Sequence, residues 1–94
     1  MTGRGSILLE AHKIINGERQ DQYGEPEDSF SRIAEYWNCF LTRWDGCVIN
    51  LAAKDVALMM VLFKMAREEY QGKLDNLIDA CGYLGLAADL TELG

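Results

Sequence analysis

Basic residues are scarce in this sequence. Nine Lys and Arg stand against fifteen Asp and Glu, giving a formal net charge of −6. That is the wrong sign for gripping a phosphate backbone by counterion release, so direct nucleic-acid binding is not expected. An acidic surface keeps a domain soluble and suits a basic protein partner. Histidine occurs once, at His12, and the three cysteines, Cys39, Cys47 and Cys81, include no Cys-x-x-Cys pair. This odd set argues against a disulfide framework or a spaced zinc motif; buried thiols in a reducing cytoplasm fit it best. The strongly apolar run from Val56 to Ala66 contains Lys64 and falls short of the ~20 residues needed to span a bilayer. Met-Thr-Gly-Arg-Gly-Ser at the start leads into a short apolar stretch broken by Glu10, His12 and Lys13, unlike a signal peptide, so neither export by that route nor a membrane location is expected. There is no repeat and no low-complexity linker.

What is present is ordinary globular material, 94 residues with 49% hydrophobic and 26% charged, enough for one domain around one modest core. The periodicity is helical. Ser6 is placed to cap a first helix over about Ile7 to Arg19, with Ile7, Leu8, Ala11, Ile14 and Ile15 on one face. Pro26, with Glu25, Glu27 and Asp28 around it, suits the opening turn of a second helix. Its stripe is Phe30, Ile33, Ala34, Trp37, Phe40, Leu41 and Trp44, and Asp45-Gly46 ends it. Asn50 is placed to cap a third helix over about Leu51 to Tyr70, apolar on every side except at Lys64, which marks it as a central helix. Gly72 breaks that pattern, and a fourth, nearly all-apolar helix follows from Leu74. Two such helices exceed what two neighbours can cover, so an exposed apolar patch and a homo-oligomer, a dimer first of all, are expected.

The short turn at Gln71-Gly72 makes helices three and four antiparallel neighbours. Residues equally far from the turn then lie level, setting Lys64 opposite Asp79 and Arg67 opposite Asp75 or Asn76. Lys64 and Arg67 share a face by their i, i+3 spacing, as Asp75 and Asp79 do by i, i+4. Three readings follow. The pairs are salt bridges fixing the register of the hairpin; or Lys64, a charge in the most apolar run, serves a ligand; or Asp75 and Asp79 hold Mg2+ while Lys64 and Arg67 contact phosphates. A second candidate is the loop Arg19-Gln-Asp-Gln-Tyr-Gly24, where Arg19 suits a phosphate and Tyr23 a base. Its plainer reading has Tyr23 plugging the core and Arg19 pairing with a carboxylate. Trp37 and Trp44 read as core rather than as a stacking platform.

Taken in order, several blocks carry a resemblance: Gly17-Glu-Arg-Gln-Asp-Gln-Tyr-Gly-Glu-Pro-Glu-Asp-Ser-Phe30, Ile33-Ala-Glu-Tyr-Trp37, Ala53-Lys-Asp-Val-Ala-Leu-Met-Met60, Lys64-Met-Ala-Arg67, Asp75-Asn-Leu-Ile-Asp79 and Gly82-Tyr83. Together they resemble a small phage and prophage domain family of unknown function. That family is similar to the nucleotide-modification-associated domains of phages and, more distantly, to MazG-like all-α nucleoside triphosphate pyrophosphohydrolases. The resemblance implies an all-α, four-helix, MazG-like bundle completed by oligomerisation, in the cytoplasm of a bacterial host. It further implies a nucleotide substrate cleaved between its α and β phosphorus atoms with Mg2+ on helix-borne carboxylates. Carried onto this chain, Asp75 and Asp79 are the metal ligands, Lys64 and Arg67 the phosphate contacts, and Arg19 and Tyr23 close the pocket; no catalytic residue is assigned. Asn76-Leu-Ile-Asp79 matches the family's Glu-x-x-Asp pattern only at its last position, with Asp75 as a displaced substitute, and no Glu-x-x-Glu precedes it. The expected functions are therefore a pyrophosphohydrolase, a nucleotide binder without turnover, or an acidic, oligomeric phage protein that blocks a host factor such as a defence nuclease.

Overall fold

Pro26 lacks a backbone N–H, one that the first turn of a helix leaves without an intrahelical partner, and its ring presets the helical φ. In the computed structural model, which describes residues 3–15, 25–45 and 48–93, a helix starts at that proline. Glu27 and Asp28 occupy its first turn, on the positive end of the dipole. The described residues form four helices and no strand: α1 (Arg4–Ile15), α2 (Pro26–Asp45), α3 (Ala53–Tyr70) and α4 (Leu74–Leu93). The all-α class and the number of helices match the sequence pattern. Two of the expected starts do not. Helix α1 opens at Arg4, its first turn closed by the Ile7 amide on the Gly3 carbonyl at 3.2 Å, so Ser6 lies inside the helix rather than capping it. The extension from Ile15 to Arg19 lies outside the described residues.

At α3 the cap is Ala52, not Asn50. Alanine has no side-chain acceptor, so only the reverse half of a capping box forms: Asp55 Oδ2 accepts the Ala52 N–H at 2.9 Å. The approach to the helix is held from α2. Asn38 places its carboxamide alongside Leu51, accepting the Leu51 N–H on Oδ1 at 2.7 Å and donating Nδ2 to the Leu51 carbonyl at 3.1 Å. Thr42 Oγ1 accepts the Ile49 N–H at 3.2 Å. Because Asn38 satisfies both Leu51 backbone groups, the chain is extended there and the helix cannot begin until Ala53.

Helix α4 packs most extensively against α3 and also against α1, while α3 packs against α2. The tightest packing uses small residues. Ala57, Ala87 and Leu90 form a buried cluster with Phe30 and Ala53 packed on it, and Val56 beside it is fully buried. Alanine at these positions lets the helix axes approach closely, and Phe30 of α2 sets its ring 6.1 Å from that of Tyr83 on α4.

The exposed apolar patch expected from two nearly all-apolar helices is present on α3, which is covered on one side only. Leu58, Met59, Leu62, Phe63 and Met65 are all exposed, Leu62 by 64%. Among the described helices α3 packs substantially against α2 and α4, too few neighbours to cover a helix that is apolar nearly all round. The stripe of α2 likewise divides. Ala34 is buried and Phe30, Ile33 and Trp37 are half-buried, whereas Phe40 and Leu41 are exposed; the side chain of Trp44 lies outside the described residues. Cys39 is exposed rather than a buried thiol, Cys81 is half-buried, and Cys47 lies outside the described residues. No described helix is long and apolar enough to cross a membrane.

Candidate functional site at the turn between α3 and α4

Three residues, Gln71 to Lys73, reverse the chain between α3 and α4. The Gln71 amide still bonds to the Arg67 carbonyl at 3.0 Å, although Gln71 itself is extended. Glu68, one turn earlier, reaches across the reversal and accepts both the Lys73 N–H at 3.0 Å and the Asn76 Nδ2 at 3.3 Å. Asn76 is 8% exposed and also lies within reach of the Gln71 carbonyl at 3.4 Å. A Cβ at Gly72 would stand 3.1 Å from Glu68 Oε2, so a larger residue there would require the glutamate side chain to give way slightly. These bonds fix the turn, and with it the register of the two helices.

That register brings Lys64 and Asp79 together. Lys64 Nζ lies 2.8 Å from Asp79 Oδ2, with the side chains 14% and 8% exposed. An unpaired charge at this depth would be strongly disfavoured, and the pairing offsets much of that desolvation. The second pair expected from the spacing does not form. Arg67 is exposed and sets its guanidinium 4.7 Å from the centroid of the Phe63 ring, one turn back on its own helix. Asp75 is exposed in the first turn of α4. Level spacing brings backbones together, but long side chains near an open helix end choose among several partners, and the aromatic face is the one Arg67 takes.

Arg67 does meet the other expected residue, Asn76, as a shared wall. The two line a depression of about 380 Å³ together with Tyr70, Gln71, Lys73 and Ala66. This places two cations, two side-chain amides and a phenol ring around one recess. Lys73, Tyr70 and Glu68 were not singled out as site residues by the sequence pattern; the only signal for them is their proximity to the Gly72 break. Arg19 and Tyr23 lie outside the described residues.

Mg2+ takes a near-octahedral set of oxygen ligands, including several waters. Asp79 has Lys64 on its carboxylate and Asp75 stands in solvent. No group of three or more His, Cys, Asp or Glu suited to a metal occurs among the described residues. A cation held by Asp79 would have to share its carboxylate with the Lys64 ammonium. This donor set does not fit a resident Mg2+ ion.

Two curated phage proteins are similar to the chain. The chain is 37% identical over 82 residues to the Gene 55 protein of Mycobacterium phage L5, covering 86% of this chain and 49% of that protein. It is 35% identical over 88 residues to the Gene 55 protein of Mycobacterium phage D29, covering 93% and 54%. The chain thus spans about half the length of the curated relatives it matches, both of them phage proteins. No solved structure matches. Residues 6–91, from the first turn of α1 to the last turns of α4, match the family described as Domain of unknown function (DUF6378), and the chain belongs to that family.

Proposed function

We propose that this domain is a nucleotide binder related to the MazG-like scaffold but without its hydrolytic carboxylate set. The observation that carries this reading is the recess at the α3–α4 turn, where Arg67 and Lys73 provide charge, Asn76 and Gln71 provide amides and Tyr70 an aromatic surface. Its volume of about 380 Å³ is in the range of small-molecule sites. Arg67 suits a phosphate because its planar fork donates two parallel hydrogen bonds. In an acidic chain, a local pair of cations is what an anionic ligand needs. Lys64 and Asp79 join α3 to α4 outside the lining of the recess and neutralise each other, which does not suit them to turnover. Any Mg2+ would arrive with the nucleotide phosphates.

The test is a thermal-shift panel of nucleoside mono- and triphosphates, with and without Mg2+, alongside a pyrophosphate-release measurement. The expected result is stabilisation by a nucleotide through mass action, no pyrophosphate, and loss of that increment in Arg67→Ala and Lys73→Ala. Absence of any nucleotide-induced shift rejects the reading; pyrophosphate release replaces binding with hydrolysis. A second reading, a phage protein that blocks a host factor, is favoured by the charge of −6 and the exposed apolar side chains. Recovery of a defined host protein with this chain, in the absence of any nucleotide effect, would support it.

A further inference from the structure

Of the residues lining the recess at the α3–α4 turn, Asn76 alone is buried, at 8% exposure, and the others are exposed. Exposed side chains can rearrange around whatever enters, whereas Asn76 is set in advance. Its Nδ2 donates to Glu68 Oε1 at 3.3 Å and to the Gln71 carbonyl at 3.4 Å, which engages both amide hydrogens. Glu68 is itself held, because the same oxygen accepts the Lys73 N–H at 3.0 Å. Reversing the Asn76 amide would set its oxygen against a carboxylate and a carbonyl, two repulsive contacts in place of two hydrogen bonds, so this network fixes the orientation. The oxygen, Oδ1, accepts no hydrogen bond among the described residues. Nor is it enclosed, since no buried side-chain nitrogen or oxygen among the described residues lacks a partner. The opening that Asn76 lines is the recess, so the amide presents to it a bare, oriented acceptor.

We infer that Asn76 is a specificity-determining residue of this recess. It selects a phosphorylated nucleoside that carries a neutral hydrogen-bond donor, an exocyclic base amine or a sugar hydroxyl, for Asn76 Oδ1. The inference rests on the nucleotide reading above and adds which nucleotides are taken. Arg67 and Lys73 attract the phosphate of any nucleotide, and Tyr70 offers its ring to any base, so none of the three discriminates. A fixed acceptor does. Covered by a ligand that brings a donor, Oδ1 exchanges solvent for a direct hydrogen bond. Covered by an acceptor or a C–H group, it loses solvent and gains nothing, and the buried amide cannot turn to offer its nitrogen instead.

Calorimetric titration with AMP and two analogues tests this. Purine riboside monophosphate lacks the 6-amino group, and 2′,3′-dideoxy-AMP lacks both ribose hydroxyls. AMP binds about tenfold more tightly than one of the two analogues, and the analogue that loses affinity identifies the donor. In Asn76→Leu all three ligands bind equally, a collapse of the ratio that a general weakening of the turn would not produce. Should that variant unfold, the side-chain carbonyl carbon resonance of Asn76 in the wild type decides: it shifts with AMP and not with the weaker analogue. Analogues that both bind as tightly as AMP, a ratio that persists in Asn76→Leu, or an Asn76 resonance indifferent to the donor overturn the inference and leave the nucleotide reading standing. Failure of all three ligands to bind also overturns it, and the thermal-shift panel then shows whether the nucleotide reading falls with it.

Discussion

The two faces of α3 invert the usual relation between hydrophobicity and burial. The inward face carries a lysine, two alanines and a valine, and the outward face carries two leucines, two methionines and a phenylalanine. In a helix that is apolar nearly all round, hydrophobicity does not select which side turns inward. Two other things select it here. Small residues, Ala53 and Ala57, allow close approach to α4, and Lys64 finds Asp79 only from that side. The larger side chains are then left outside.

Removing one charge from the inward face has the largest expected effect. Asp79→Ala strands Lys64 in a site where it is 14% exposed, and a loss of about 3–5 kcal/mol in unfolding free energy by urea titration is expected. Replacing both partners, Lys64→Met with Asp79→Leu, recovers most of that loss. A double variant as unstable as the single one would mean the pair does more than neutralise itself. Next comes the alanine contact. Ala57 is fully buried against Ala87 and Leu90, so Ala57→Leu forces the helices apart at a cost of about 1–3 kcal/mol, read from the same titration.

Smaller effects sharpen the account. Asn38→Ala removes both hydrogen bonds to Leu51 and should cost about 1–2 kcal/mol, with faster amide exchange at Leu51. Glu68→Ala unties Lys73 and Asn76 from the α3–α4 turn for about 1 kcal/mol. The smallest change belongs to the outward face: Leu62→Ser, at a position 64% exposed, should alter the unfolding free energy of the monomer, measured at high dilution, by no more than about 0.5 kcal/mol.

Much of the hairpin was legible in the sequence. Gly72 marked the turn, and counting outward from it placed Lys64 on Asp79, because an antiparallel helix pair with a short link leaves little freedom in register. The four helices followed from apolar periodicity, and Pro26 fixed the start of α2. What was not legible involves choices that periodicity does not encode. Arg67 turned to Phe63 instead of Asp75, a matter of rotamers at an open helix end. Asn38 and Leu51, far apart in sequence, set where α3 begins, and no local pattern announces such a pair. That α3 would leave an apolar patch exposed was legible, but which of its sides turns outward was not, because its all-round apolar character does not encode that choice.

The direct test of the account is an amide chemical-shift titration of the labelled protein with a nucleoside triphosphate and Mg2+. Perturbations are expected to concentrate at Arg67, Tyr70, Gln71, Lys73 and Asn76, with the stripe from Leu58 to Leu62 unchanged. Saturating nucleotide that leaves the turn unperturbed, or that shifts the outward stripe instead, would contradict it.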